Sequence, residues 1–246
     1  MALALPSPEF KPFSIGKLMT SYSGTDNLEV MAEAKNYNAF LLALILQPIK
    51  PADVLMDFGA GIGTFAILLK ERGHEVICVE SDSAQANAIA QHQIKAVTNL
   101  DMLSNESVDY VYTLNVLEHI EQDLGALQEI YCKIKPGGRL LIYVPAFQCL
   151  FSSMDHKVGH WRRYIKRTLV PLVKAAGFEV ERASYVDSLG FFASYLYKYI
   201  GDSSGSLNPK TIYIYDYYIF PLSRLLDRLV GHWFGKNLVL LAHKPR

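Results

Sequence analysis

The chain has 246 residues, half of them hydrophobic and a fifth charged, which is typical of a globular protein and not of a disordered or fibrous one. Its 24 basic and 24 acidic residues balance, so no overall field attracts nucleic acid, and we predict no nucleic-acid partner. A single core can grow to roughly 250 residues, so we expect one domain over residues 1–246.

The composition also favours a cytoplasmic location. Three cysteines, odd in number and without CxxC spacing, predict neither a disulfide framework nor a zinc ribbon. The opening of the chain carries three prolines and no basic region before an apolar stretch, unlike a secretory signal. The longest apolar run, Ala39–Leu46, is shorter than the ~20 residues of a membrane-spanning helix.

Strands and helices alternate along the chain. Apolar residues at helical spacing predict a first helix over Leu28–Leu46. The strands that we predict are Val54–Phe58, Glu75–Glu80, Lys95–Leu100, Val108–Leu114, Arg139–Val144, Phe178–Tyr185 and Leu238–His243. The helices among them are Thr64–Glu71, Ser83–Gln93 with Ser83 as its cap, Gln122–Ile134 ended by Pro136-Gly137-Gly138, and Lys166–Ala176. Such alternation implies an α/β, doubly wound fold with a mostly parallel sheet and helices on both faces.

An aromatic, helix-like insertion, Leu189–Phe234, interrupts this alternation before the final strand. It contains Gly201–Ser206, a flexible-looking tract, and eight of the fifteen tyrosines lie between Tyr185 and Tyr218. We predict a helical lid or packing module. Packing on the sheet, a pocket for an aromatic, lipid-linked or glycosidic acceptor, a homodimer seam and peripheral membrane contact remain alternatives, since leucines alternate with charges at helical spacing near Leu225.

The strongest motif lies where the first strand meets the next helix, in Asp57-Phe58-Gly59-Ala60-Gly61-Ile62-Gly63. Glycines allow a sharp turn and close approach of a ligand, and the helix start offers free N–H groups. Glu80, which ends the second strand, can accept hydrogen bonds from both hydroxyls of a ribose. The GxGxG spacing differs from the GxGxxG of dinucleotide sites, so it favours a nucleoside without pyrophosphate, the methyl donor S-adenosylmethionine.

At these residues the sequence resembles the class I S-adenosylmethionine-dependent methyltransferases, including stand-alone bacterial ones, over about 36–177. The matching motifs are Asp57–Gly63, Glu80, Asp109–Ile120 and Lys135–Gly138. The resemblance implies a Rossmann-like, seven-stranded sheet whose last strand is antiparallel and lies beside strand five. We divide the predicted domain into an N-terminal helix (28–50), a cofactor-binding core (51–185), the insertion (189–234) and the final strand (235–246).

The resemblance also implies S-adenosyl-L-methionine as cofactor, with S-adenosyl-L-homocysteine as product. An acidic residue after strand three commonly meets the adenine in this family, and here the match is ambiguous between Asn99 and Asp101, of which we predict Asp101. The cofactor-binding residues that we predict are Asp57, Gly59, Ala60, Gly61, Gly63, Glu80, Ser81, Asp101 and Asn115.

Methyl transfer from a sulfonium is an in-line displacement, for which orientation alone can supply about 7–11 kcal/mol. A general base adds only about a hundred- to ten-thousand-fold. Candidate bases are His119, after the fourth strand, and His156 and His160, after the fifth. A structural role for His119 is the alternative.

The segment Asp155–Tyr164 combines titratable, cationic and aromatic groups beyond a strand end, which favours contact with a small-molecule substrate. We predict that Arg162, Arg163 and Tyr164 bind it. The alternative is that the arginines are solvated or paired with Asp155 or Glu118. Asp155, His156 and His160 also offer three metal ligands, but Gly159 makes a regular helix doubtful and no further ligands follow, so we predict no metal.

Two other functions remain to be distinguished. One is a nicotinamide-dependent oxidoreductase, because Tyr131 and Lys135 have the YxxxK spacing of short-chain dehydrogenases, although they precede the fifth strand. The other is a non-catalytic subunit that binds S-adenosylmethionine. Either a monomer or a homodimer is compatible with the sequence.

Overall fold

Inner strands of the sheet such as Val54–Phe58 and Asn237–His243 are buried almost continuously, without alternation, as expected where helices cover both faces. The computed structural model describes residue 31 and the ranges 33–200 and 208–246. The N-terminal prolines, the first residues of the helix predicted over Leu28–Leu46 and the predicted Gly201–Ser206 tract lie outside the described residues.

One seven-stranded sheet is formed by the described residues. Its strands are β1 (Val54–Phe58), β2 (Glu75–Val79), β3 (Lys95–Val97), β4 (Val108–Leu114), β5 (Ile134–Pro145), β6 (Glu179–Val186) and β7 (Asn237–His243). Their order is β3-β2-β1-β4-β5-β7-β6. β7 runs antiparallel to both β5 and β6, and the other neighbours are parallel. The predicted doubly wound sheet with an antiparallel last strand is confirmed.

Helices cover both faces of this sheet. They are α1 (Lys35–Leu46), α2 (Thr64–Glu71), α3 (Ser83–Gln91), α4 (Asp123–Lys133), α5 (Ser153–Val158), α6 (Lys166–Ala175), α7 (Ser188–Ile200), α8 (Pro209–Ile214) and α9 (Phe220–Val230). Leu41, Leu69 and Ile89 of α1, α2 and α3 belong to the apolar cluster on one face. Leu127 of α4 and Leu169 of α6 belong to the opposite cluster. In the part of the chain that the structure describes, none of the helices has both the length and the apolar character needed to span a bilayer.

The cap of α3 is Asp82, and the prediction of Ser83 was wrong. Oδ1 of Asp82 accepts hydrogen bonds from the backbone N–H groups of Ala84 and Gln85, at 2.8 and 3.1 Å. A carboxylate at this position satisfies free N–H groups as a serine would and also faces the positive end of the helix dipole.

Two predicted strand limits were also wrong. β3 ends at Val97 and not Leu100, because the chain turns into a 3₁₀ helix over Leu100–Met102. The predicted turn Pro136–Gly138 lies inside β5, which begins directly after α4. A register shift between Val108 and Tyr110 of β4 accommodates it.

Buried carboxylates fasten the helical insertion to the sheet. Asp187, which follows β6, accepts hydrogen bonds from the hydroxyls of Ser223 and Tyr215. Asp227 of α9 accepts from the backbone N–H groups of Asp187 and Ser188, both at 2.8 Å. The first turn of α7 is thereby joined to α9.

A residue of the insertion also caps the first helix. Asp216 accepts from the backbone N–H groups of Asn36 and Tyr37 at 2.9 and 2.8 Å, whereas the side chain of Ala34 gives α1 no cap. The free N–H groups at the start of α1 are thus satisfied by a distant part of the chain.

Candidate active site

The loop between β1 and α2 carries the glycine motif at the point where the strand order reverses, which is where open α/β sheets bind ligands. Gly59, Gly61 and Gly63 have φ of 81°, 55° and 79°, a region that favours glycine. A Cβ on Gly59 would lie 2.3 Å from Cγ2 of Val116, on the loop after β4. The loop therefore packs closely against the loop that follows β4.

Glu80 follows β2 at the same edge of the sheet. Its Oε2 accepts from the N–H of Gly61 at 2.7 Å, and its Oε1 accepts from the N–H of Asp82 at 2.9 Å. The hydroxyl of Ser81 lies 3.4 Å from Oε1. Because an ionised carboxylate has about four lone-pair positions, each oxygen can also accept from a ribose hydroxyl. The fold thus brings the predicted ribose-binding acid against the glycine loop.

Asp57 of β1 is buried beneath this loop. The hydroxyl of Tyr112 donates to its Oδ2 at 2.9 Å. Burial raises the pKa of Asp57 to about 7, against the opposing effect of this hydrogen bond. A cationic group beside Asp57 would be favoured. Sequence reasoning missed Tyr112, which faces Asp57 only because β1 and β4 pair in that register.

Asn115 follows β4 in a left-handed conformation, with φ of 54°, and its N–H donates to the carbonyl of Tyr143 at 2.7 Å. Of the two adenine candidates, Asp101 lies exposed on the 3₁₀ turn after β3. Oδ1 of Asn99 is buried and has no hydrogen-bond partner among the described residues. Both positions follow the carboxyl end of β3, and the role of Asp101 stays a prediction.

The segment after β5 folds around the buried carboxylate of Asp155. Arg163 donates to both oxygens, at 2.9 and 2.8 Å, and Nδ1 of His160 lies 2.7 Å from Oδ1. Burial acts to raise the pKa of Asp155, but the hydrogen bonds from His160 and Arg163 outweigh it and hold the pKa well below its usual range. Since Arg163 is buried and engaged here, the structure favours the alternative in which it pairs with Asp155 over direct substrate binding.

Arg162 and Tyr164 tie the same segment to the start of α4. Arg162 donates to Oδ2 of Asp123 at 3.0 Å and to the carbonyl of Glu121 at 2.7 Å. The hydroxyl of Tyr164 is buried and donates to the same Asp123 oxygen at 2.8 Å. Of the three residues predicted to bind substrate, Arg162 keeps the most exposed polar group, and its role stays a prediction.

Glu118, His119 and His160 converge beyond the end of β4. One ligand atom from each lies within 4.8 Å of the others. Neither carboxylate oxygen of the fully buried Glu118 has a hydrogen-bond partner among the described residues, and Nε2 of His160 is 3.8 Å from its Oε1. Burial raises the pKa of Glu118 to about 8, and burial together with the charge of His160 lowers that of His119 to about 4. Sequence reasoning named both histidines but missed their meeting with Glu118, since His160 belongs to another segment.

His156 lies apart from this cluster. It is exposed on α5, and its ring packs edge-on against Phe151 with 4.9 Å between centroids. Of the ligand set considered from the sequence, Asp155 and His160 meet at 2.7 Å, but His156 does not join them. A catalytic role for His156 stays a prediction.

The YxxxK pair lies away from the crevice. The ring of Tyr131 packs against Phe178 at 5.0 Å, and Lys135 pairs with Asp109 at 2.8 Å. Asp109 is at the start of β4 and also accepts from the N–H of Val54, the first residue of β1. The pair therefore belongs to the amino edge of the sheet, opposite the glycine loop, which argues against the oxidoreductase alternative.

The strand order, the glycine loop and the acid after β2 define the class I methyltransferase architecture. The family described as "Methyltransferase domain" matches residues 31–183, more than half of the chain. The chain therefore belongs to this family, as the resemblance predicted.

Individual proteins agree with this assignment. A Mycolicibacterium smegmatis protein described as a probable S-adenosylmethionine-dependent methyltransferase is 28% identical over 145 residues, which are 56% of this chain and 54% of that protein. The chain thus spans about half the length of this relative. A chain of the Haloferax volcanii complex between the Trm112 methyltransferase activator and a methyltransferase superposes with a TM-score of 0.63 at 15% identity, covering 91% of this chain and 95% of that one. For a methyltransferase from Archaeoglobus fulgidus the TM-score is 0.61 at 19% identity, with 91% and 100% covered. The two structures share the fold.

Proposed function

We propose that this protein transfers the methyl group of S-adenosylmethionine, by in-line displacement, to a small acceptor carried on a lipid or another apolar anchor. The exposed apolar surface of the insertion supports this class of acceptor. In the proposed cofactor complex Glu80 binds the ribose, Asp57 and the glycine loop bind the methionine moiety, and Asp101 binds the adenine.

The apolar surface is concentrated in one part of the molecule. Of the sixteen large hydrophobic side chains that are exposed among the described residues, thirteen belong to the insertion. They are Phe192, Tyr195, Leu196, Tyr199, Tyr213, Ile214, Tyr217, Tyr218, Ile219, Leu222, Leu225, Leu229 and Trp233. Such concentration marks a contact surface, and aromatic residues with exposed cations such as Lys198 and Arg228 suit a membrane interface.

This surface adjoins the segment beside the crevice. The ring of Phe191 on α7 packs against Phe147, just after β5, with 5.4 Å between centroids. Lys198 of α7 donates to the carbonyl of Cys149 at 3.1 Å. An acceptor group whose anchor rests on the insertion would therefore lie near the residues that follow β5.

Changing Leu222, Leu225 and Leu229 together to aspartate is expected to abolish binding to lipid vesicles, because it places three charges in the apolar contact. Co-sedimentation with vesicles of mixed neutral and anionic lipid measures this. S-adenosylmethionine affinity, measured by calorimetry, should stay within about twofold, since the cofactor crevice is untouched.

A matched control places the same three charges at exposed positions of α3, as Asn87→Asp, Ala88→Asp and Gln91→Asp, and should leave vesicle binding unchanged. A different outcome would be that the wild type does not bind vesicles and forms a dimer, whereas the leucine variant is a monomer. That result would identify the surface as a dimer interface and contradict the lipid-linked acceptor.

Glu80→Ala is expected to weaken binding of S-adenosylmethionine and S-adenosylhomocysteine by roughly ten- to a hundredfold, because each hydrogen bond to a charged group contributes about 1.5–3 kcal/mol. Calorimetry measures this. Glu75→Ala, at the exposed amino end of the same strand, is the control and should bind normally. Tighter binding of NAD than of S-adenosylmethionine by the wild type would contradict the cofactor assignment. Transfer of a labelled methyl group to a component of lipid extracts would distinguish an enzyme from a non-catalytic binding subunit.

The stability of ligand-free protein is expected to depend on pH through Asp57. Its folded pKa of about 7 exceeds the ordinary 3.8, so its contribution is fully present below pH of about 4 and is lost as the pH rises to about 7. Urea unfolding across this range should show the wild type losing stability relative to Asp57→Asn as the pH rises, because the neutral amide does not titrate. Saturating S-adenosylmethionine should reduce this loss, because its amino group favours the carboxylate. An unchanged difference across the range would contradict the prediction.

A further inference from the structure

The cluster of Glu118, His119 and His160 contains more polar groups than a general base needs, because one imidazole is enough to accept a proton. Here two imidazoles lie together with a fully buried carboxyl group whose oxygens have no hydrogen-bond partner among the described residues. A buried carboxyl group whose oxygens have no hydrogen-bond partner is costly, and a cation held between the three side chains would satisfy it.

Both imidazoles are held by hydrogen bonds to the segment after β5. Nδ1 of His160 lies 2.7 Å from the carboxylate of Asp155, and the ring of His119 is hydrogen-bonded to the backbone of Val158. Histidines that ligate metals almost always donate their second N–H to a carboxylate or backbone carbonyl, which fixes the ring and its tautomer. The arrangement leaves Nε2 of His160 directed to the Glu118 carboxylate, 3.8 Å away.

We propose that Glu118, His119 and His160 bind one divalent transition-metal ion, with the remaining positions open to water or to an oxygen of the methyl acceptor. Two imidazoles with one carboxylate suit Mn²⁺, Fe²⁺, Co²⁺ or Zn²⁺ better than Mg²⁺ or Ca²⁺. Donor atoms within 4.8 Å of one another must draw in by about an ångström to reach bonds of roughly 2.0–2.2 Å. The guanidinium of Arg163, which also acts on Glu118, is neutralised by Asp155.

The ion would lie beside the cofactor crevice. Glu118 and His119 share a 3₁₀ turn with Leu117, and this turn begins next to Val116, the residue that abuts Gly59. A bound ion could therefore orient an acceptor oxygen at the crevice. This last role rests on the proposed methyl transfer, whereas binding of the ion does not.

Calorimetric titration of tag-free, EDTA-treated protein with ZnCl₂ and with MnCl₂ tests the site, and the visible absorption of added Co²⁺ reports its ligand geometry. We expect one ion per chain. Glu118→Gln and His160→Gln should each weaken binding by about a hundredfold or more, exceeding the effect typical of residues outside the ligand set. His92→Gln, exposed directly after α3, and His156→Gln are matched controls that should bind as wild type does.

Glu118→Gln also separates a metal ligand from a structural residue. If the carboxylate serves a cation, the variant should unfold in EDTA at the same temperature as wild type or higher, and should lose the stabilisation that added metal gives the wild type. Absence of stoichiometric binding by the wild type, or binding that survives Glu118→Gln, would overturn the proposal. S-adenosylmethionine binding in EDTA is measured separately, so failure of the metal site is distinguishable from failure of the proposed function.

Discussion

Asp155→Ala is expected to lower the free energy of unfolding by about 3–5 kcal/mol, because it leaves the guanidinium of Arg163 buried without its partner. The carboxylate receives both forked donors of Arg163 as well as His160 and the N–H of Ser152. Urea unfolding in EDTA measures the loss without a contribution from metal. The loss should be largest above the ordinary pKa of 3.8 and should shrink as the pH falls toward the lowered pKa of Asp155 in the folded protein.

A partly exposed ion pair provides the control. Lys135→Ala removes the partner of Asp109, whose pair is accessible to solvent, and should cost no more than about 1 kcal/mol. Equal losses for the two variants would show that the Asp155 network is as weak as a surface contact. In that case the ordering of the segment after β5 would need another cause.

Gly59→Ala is expected to displace the glycine loop and to weaken S-adenosylmethionine binding by about tenfold or more. A loss of only about 1.4 kcal/mol of binding free energy has that effect. The new Cβ would lie 2.3 Å from Val116, in a residue with φ of 81°. We expect unfolding to become easier by about 1–2 kcal/mol from the left-handed conformation and about 1–3 kcal/mol from overpacking.

Gly73→Ala isolates the conformational part. Gly73 has φ of 85°, but a Cβ there meets no atom within 4 Å, so only the left-handed cost applies and cofactor binding should be normal. The double variant Gly59→Ala with Val116→Ala should recover part of the lost affinity, because the two clashing methyl groups are removed. If the double variant is no better than the sum of the single changes, close packing of these loops is not what positions the glycine motif.

The two halves of the site place different demands on the chain. In the proposed site, the cofactor half consists of the glycine-loop backbone and the carboxylates of Asp57, Glu80 and Asp101, at the ends of β1, β2 and β3. The proposed acceptor half draws on the turn after β4, the segment after β5 and the insertion. Changes in the first half should therefore act on cofactor binding, whereas changes in the insertion should act on the choice and capture of the acceptor.

The features of this protein that depend on consecutive residues could be predicted from its sequence. Alternating apolar and helical segments were enough to predict the doubly wound sheet, and the resemblance supplied the antiparallel β7. The glycine loop and Glu80 were recognisable because conformational freedom and the end of a strand are properties of consecutive residues. Even there, the observed cap of α3, Asp82, lies one residue before the predicted Ser83, because Asp and Ser side chains can satisfy the same N–H groups.

Contacts between side chains that are distant in the sequence became visible only in the folded structure. Asp216 caps α1, Asp155 engages Arg163, and His160 reaches Glu118. Each contact joins groups whose partners depend on how helices and loops pack over the sheet, and no local pattern distinguishes a charge that is paired inside from one that faces solvent. For that reason the residues predicted from the sequence to bind substrate include Arg163, which the fold buries against Asp155.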